Sequence, residues 1–182
     1  LTDRGRADEA EPLAREALAV RRNAYGGGHR ETATSKNELG LLLLRRGDVA
    51  GAESLLLENA ATTERVLGAE HPNTAWSKVN LAVLRNAQGN AAAAEVLVRE
   101  ALAVSTKVFG DQHPQYAQML NARANTAEVR GRLDEAQILY AECLRIGGTR
   151  LSIDHPRTLT YAVNLARVQI AGGEALAAEP SL

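Results

Sequence analysis

The chain has 182 residues, 45% hydrophobic but only 3% aromatic, so its apolar content is mainly Ala, Leu and Val, a composition suited to closely packed helices. Its 21 basic and 22 acidic residues are interspersed and leave a net charge of −1, with no basic stripe for nucleic acid and no acidic tail for a basic partner. The longest strongly apolar run, over 39–44, is far too short to cross a bilayer, and the single cysteine, Cys143, excludes an intrachain disulfide and a Cys-based metal cluster.

A fixed period organises the chain. His29, His71, His113 and His155 are spaced by 42 residues, as are Gly5, Gly47, Gly89, Gly131 and Gly173. Leu13, Leu55, Leu97 and Leu139 fall in one column. Two further columns hold only small residues: Ala10, Ala52, Ala94 and Ala136 in one, and Gly40, Ala82, Ala124 and Ala166 in the other. Such self-similarity marks stacked supersecondary units, stabilised by each unit and its contacts with its neighbours. One unit alone cannot persist. Each ordered residue costs about 1.5 kcal/mol, and each buried aliphatic side chain returns about 1.5–3 kcal/mol.

In chain order, 5–28 reads as the second helix of a truncated repeat and its loop, ending in Gly26-Gly27-Gly28. Repeats follow at 29–70, 71–112 and 113–154, and a truncated one at 155–182, all expected to form a single elongated array. Each repeat reads as two helices. Over 90–109, Ala94, Leu97, Val98, Ala101, Leu102 and Val108 form a stripe of helical spacing. Over 72–88, Ala75, Val79, Ala82 and Val83 lie on one side and Leu81 and Leu84 beside them, so this helix is apolar on two faces. Pro72, Pro114 and Pro156 suit a first helical turn, and the His before each is pushed to extended backbone. Gly47, Gly89, Gly131 and Gly173 suit left-handed closure of a helix end. The two small columns are expected to face each other. Residues 173–180 begin a further second helix, so the sequence reads as a piece of a longer protein with repeat ends open to self-association.

The motifs His71-Pro72-Asn73-Thr74-Ala75, Asn80-Leu81-Ala82, Gly89 and Ala94-Glu95-Val96-Leu97, repeated along the chain, resemble tetratricopeptide repeats of the longer variety found in the kinesin light chain. The resemblance implies an all-α, right-handed superhelical solenoid of antiparallel helix pairs without catalytic activity or cofactor. It also implies a concave groove, lined by the first helices, that receives an extended peptide or a partner helix. The chain departs from that pattern at Arg30, which stands where Pro is expected. Leu43, Arg85, Ala127 and Gln169 stand where the family often has an aromatic, and Asn59 occupies a position filled by Ala17 and Ala101 elsewhere. A second reading that the resemblance allows is a regulatory array acting in cis within a larger bacterial signalling protein, beside a kinase or nucleotide-switch domain.

Carried over repeat by repeat, the groove positions are Thr34, Asn37, Glu38, Leu41 and Leu44, then Trp76, Val79, Asn80, Val83 and Asn86. They continue with Gln118, Asn121, Asn125 and Glu128, then Thr160, Val163, Asn164, Arg167 and Ile170. Asn recurs among them although it is a mediocre helix former. Its amide both donates and accepts, matching a peptide backbone. The competing reading is that these amides solvate the face or bond to adjacent repeats. Trp76, the only Trp, fits a binding hot spot or a helix-packing residue.

The four His are set one repeat apart, about 10 Å on the helix-packing scale, too far to share a metal. A structural role in each loop is expected instead. Cys143 aligns with Ala17 and Ala101 and reads as a packed thiol. No phosphate loop, nucleophile elbow or zinc-protease motif appears. The expected partner is a protein or peptide, not nucleic acid or membrane, in a reducing, cytoplasmic setting.

Overall fold

A computed structural model describes the backbone over residues 3–173 and side chains from residue 10 onward. Those residues form eight α-helices and no strand. The chain divides into two compact units, Leu1–Asn90 and Ala91–Leu182. The first holds α1 (Asp3–Tyr25), α2 (Arg30–Arg46), α3 (Val49–Leu67) and α4 (Pro72–Ala87). The second holds α5 (Ala91–Phe109), α6 (Pro114–Val129), α7 (Leu133–Arg150) and α8 (Pro156–Ala171). Within each unit successive helices pack on one another across short loops, so neighbours run antiparallel. In the first unit α2 also packs on α4. The units part between α4 and α5, the two helices of the 71–112 repeat. The expected helix over 173–180 lies outside the described residues after Gly173.

The histidine column is the start signal. In each case extended backbone places the imidazole over the first turn. Nδ1 accepts the N–H two residues on: Glu31 at 3.2 Å, Asn73 at 3.0 Å, Gln115 at 3.1 Å and Arg157 at 3.1 Å. Each His is thus an N-cap, satisfying an orphan donor of the first turn. The cap is the same where Arg30 replaces Pro, which is why α2 starts in register without it. At the other end, Gly47 and Gly131 adopt φ of 86° and 73°. The next N–H reaches back to the Leu43 and Ala127 carbonyls, both at 2.9 Å.

The loops before the histidines repeat too. Gly26, Gly68 and Gly110 have φ of 84°, 87° and 78°. Thr32 and Thr74 donate to the Gly26 and Gly68 carbonyls at 2.8 and 2.7 Å. In the fourth copy the glycine is replaced by Ser152, held at φ 139°, and Thr158, six residues on and fully buried, finds no partner for its hydroxyl. The loop has lost the geometry that satisfied its threonine.

Small residues set the approach of paired helices. In the second unit Ala124 and Ala136 share one buried cluster with Tyr140 and Val168, as the two small columns require. In the first, Gly40 packs instead under Leu56, and a Cβ there would lie 2.8 Å from its Cγ and Cδ2. A recurring ion pair also ties second helix to following first helix. Glu11 pairs with Arg46, Glu53 with Arg85 at 2.9 Å, and Glu95 with Arg130 and, at 3.1 Å, with Arg132. Arg85, at a position where an aromatic is expected, carries its charge to Glu53 and also donates to the Gln88 amide oxygen at 2.6 Å.

Candidate functional site

In the first unit α2, α3 and α4 enclose a cleft of about 460 Å³. From α2 come Arg30, Glu31, Thr34 and Asn37; from α3, Asn59, Thr63 and Leu67; from α4, Asn73, Trp76, Ser77 and Asn80. The lining is polar apart from the indole and Leu67. Its organising centre is Asn37, whose Oδ1 accepts from Asn80 Nδ2 at 2.7 Å and from Asn59 Nδ2 at 3.3 Å. Asn59 is 6% exposed, and its own oxygen accepts from Thr63 at 3.3 Å. The oxygen of Asn37 is thereby saturated. Its Nδ2 donors and the Asn80 oxygen remain for the cleft. Arg30 and Glu31 lie 3.6 Å apart at the rim and balance each other's charge.

In the second unit the same pair recurs, displaced by two repeats: Asn164 Nδ2 donates to Asn121 Oδ1 at 3.0 Å. Its surroundings differ. Where Thr63 and Ser77 line the first cleft, Gly147 and Tyr161 stand 84 residues on, and a Cβ on Gly147 would meet the Tyr161 ring at 3.2 Å. Tyr161 is 3% exposed, and its burial pushes the phenol up to about 12. Gln118, with its amide oxygen turned to the guanidinium, accepts from Arg157 Nε at 3.1 Å. Buried Tyr140 donates to Asn125 and, at 3.0 Å, to Glu128, which also pairs with Arg167. Burial first, and the Glu128 charge second, hold the Tyr140 phenol well above its usual range. Hydrogen bonding to Glu128 raises Arg167 likewise.

A tetratricopeptide repeat family model matches residues 1–58, 32–97 and 77–147. The chain belongs to the tetratricopeptide repeat family. The repeats of a Podosopora anserina protein named for the kinesin light chain, described as nearly identical and TPR-like, are 26% identical. They superpose with a TM-score of 0.70 over 96% of this chain and 83% of that one. BtubC (BKLC) from P. vanneervenii, at 24% identity, has the same fold with a TM-score of 0.72, covering 96% of this chain and 70% of that one. No curated protein matches the sequence. Tetratricopeptide repeats are in general protein-interaction modules, typically without catalytic activity.

Among the positions expected to line the groove of this tetratricopeptide array, Thr34, Asn37, Trp76 and Asn80 meet in the first cleft. Glu38, Leu41, Val83 and Asn86 do not line it. Glu38 is exposed with Arg21 3.5 Å away, Leu41 and Asn86 are half-buried, and Val83 is 44% exposed. Val79 is 5% exposed and packs in the core, since a position one residue before Asn80 turns about 100° away from it. In the second unit Asn121 and Asn164 pair, while Asn125, Gln118 and Arg167 are engaged as described. Thr34 and Thr160 turn their hydroxyls back to carbonyls one turn earlier, at 3.2 and 2.9 Å. Thr63, Leu67, Asn73 and Ser77 were not foreseen. Asn59 stood out in sequence only as a polar residue in a small-residue column.

The remaining constellations are structural. Cys143 is fully buried, its thiol donates to the Ala117 carbonyl at 3.2 Å, and burial raises its pKa far above the usual range. Two of the capping histidines stack on a preceding ring, Tyr25 on His29 and Phe109 on His113, with centroids 4.9 and 4.8 Å apart. Among the described residues no group of His, Cys, Asp or Glu is arranged to hold a metal ion, and no helix is long and apolar enough to cross a membrane.

Proposed function

We propose that this chain is a protein-interaction scaffold that binds an extended peptide segment in the cleft between α2, α3 and α4. One observation carries the reading: the Asn37–Asn80 pair leaves a donor and an acceptor for the cleft beside the chain's only Trp. An amide, in the main chain or in a side chain of the peptide, needs both groups, and an indole wall supplies the apolar contact that binding hot spots use. The Asn121–Asn164 pair offers the same two groups in the second unit. The partner class is a protein or peptide. The balanced surface charge gives nucleic acid no electrostatic footprint. A lone buried thiol suits a reducing compartment, and we place the protein in the cytoplasm.

Selection of binders from a displayed random-peptide library, followed by calorimetric titration of each selected peptide into both proteins, tests this reading. Selected peptides should bind the wild type at least tenfold more tightly than the Trp76→Ala/Asn80→Ala variant, the loss of two central contacts at about 1 kcal/mol or more each. Equal affinity for both proteins, or no selected binder, would reject the cleft as the peptide site.

A further inference from the structure

Resting on that reading of the cleft, we propose that the Asn37–Asn80 pair is a specificity element that selects a neutral carboxamide side chain, Gln or Asn, from the bound peptide. Each of the two amides is committed in one direction only. Asn37 spends its oxygen on Asn80 and Asn59, so it faces the cleft with N–H donors. Asn80 spends a donor on Asn37, so it faces the cleft with its oxygen. The two together present one donor and one acceptor side by side, the complement of a carboxamide.

Charged groups do not match that pattern. A carboxylate offers only acceptors and would set its charge against the Asn80 oxygen. An ammonium or guanidinium offers only donors and would leave the Asn37 N–H groups unmet. The only charged side chains lining the cleft, Arg30 and Glu31, are paired with each other at its rim, so no net field favours either sign. Asn59 fixes the polarity. It is buried, and by donating to the Asn37 oxygen it keeps that oxygen from turning into the cleft.

The selectivity belongs to the first unit. The second has the same amide polarity at Asn121 and Asn164, but Cys143 stands in place of Asn59 and Thr160 in place of Trp76. Tyr161, buried against Gly147, stands where Ser77 lines the first cleft.

The test uses the wild-type chain and three small probes at millimolar concentration: the N-acetyl methylamides of glutamine, glutamate and glycine. Trp76 emission and the side-chain NH2 signals of Asn37 and Asn80 in 15N spectra report binding. The glutamine probe should shift both, and the glutamate probe should need at least about tenfold more, the penalty for an unmatched polar group. The glycine probe carries the backbone amides alone and should be equally weak, which separates side-chain from main-chain recognition. Asn37→Asp keeps the oxygen that Asn80 and Asn59 use but replaces the open donor by an acceptor, and should lose the glutamine response. A glutamine response no stronger than that of glutamate or glycine, or one unchanged in Asn37→Asp, overturns the proposal. Library peptides that bind the cleft without enrichment of Gln or Asn would overturn it and leave the peptide site standing. Failure of every peptide while the glutamine probe still binds would do the reverse.

Discussion

Asn37→Ala and Asn121→Ala are the same substitution at positions two repeats apart, yet their costs should differ. At Asn37 the change removes the acceptor of two amides. Asn80 is half-buried, so water replaces much of the loss, leaving about 0.5–1 kcal/mol. Asn59 is 6% exposed, and its stranded NH2 group costs about 1–3 kcal/mol. Alanine returns roughly 0.6 kcal/mol of helix propensity. The net destabilisation is about 1–3 kcal/mol. At Asn121 only half-buried Asn164 loses its partner, because Cys143 stands where Asn59 would. There the helix-propensity gain nearly cancels the loss, for a net of about 0–0.5 kcal/mol. Urea unfolding followed by circular dichroism, with Trp76 emission as a local reporter of the first unit, measures both. Adding Asn59→Ala to Asn37→Ala removes the stranded donor and should recover about 1 kcal/mol, a coupling that a double-mutant cycle isolates. Equal losses at Asn37 and Asn121, or strictly additive effects of Asn37 and Asn59, would refute the argument.

Three further outcomes are expected. Ser152→Gly should stabilise the chain by about 1 kcal/mol in thermal unfolding. Relief of backbone strain and a restored carbonyl for Thr158 outweigh the extra freedom of glycine in the unfolded chain. His71→Ala should cost about 1 kcal/mol, and His71→Asn, which can also accept the Asn73 N–H, should recover most of it in the same assay. Because burial raises the Cys143 thiol in the folded chain, the unfolded chain loses that proton first as pH rises. Stability is therefore undiminished below about pH 8.5 and falls above it, at up to about 1.4 kcal/mol per pH unit. Between about pH 8.5 and 10, urea midpoints of Cys143→Ala should fall less steeply than those of the wild type.

What could be read from the sequence was whatever repeats at one residue per unit. The His–Pro dipeptides located α4, α6 and α8, and the glycines closed the ends of α2 and α6, because caps and left-handed turns depend on local geometry. Pairings between units were harder to read. Asn37 and Asn80 occupy adjacent, different columns, 43 residues apart, so alignment in register separates the two members of one hydrogen bond. The Glu53 and Arg85 pair escaped for the same reason. Val79 and Asn80 are both groove positions by resemblance, yet consecutive helical residues point about 100° apart, and Val79 is buried. The packing of Tyr161 against Gly147 is a volume match that no single column displays.

The Asn pair and the ring–imidazole stacks recur at twice the basic repeat, since each first member lies 84 residues before its counterpart. This doubled rhythm restricts how the gene can lengthen or shorten. Excising 48–131 would splice like onto like and bring Asn37 opposite Asn164, an amide for an amide. Excising 48–89 would set Asn37 against Ala122 and orphan it. Viable recombinants should therefore gain or lose hairpins two at a time.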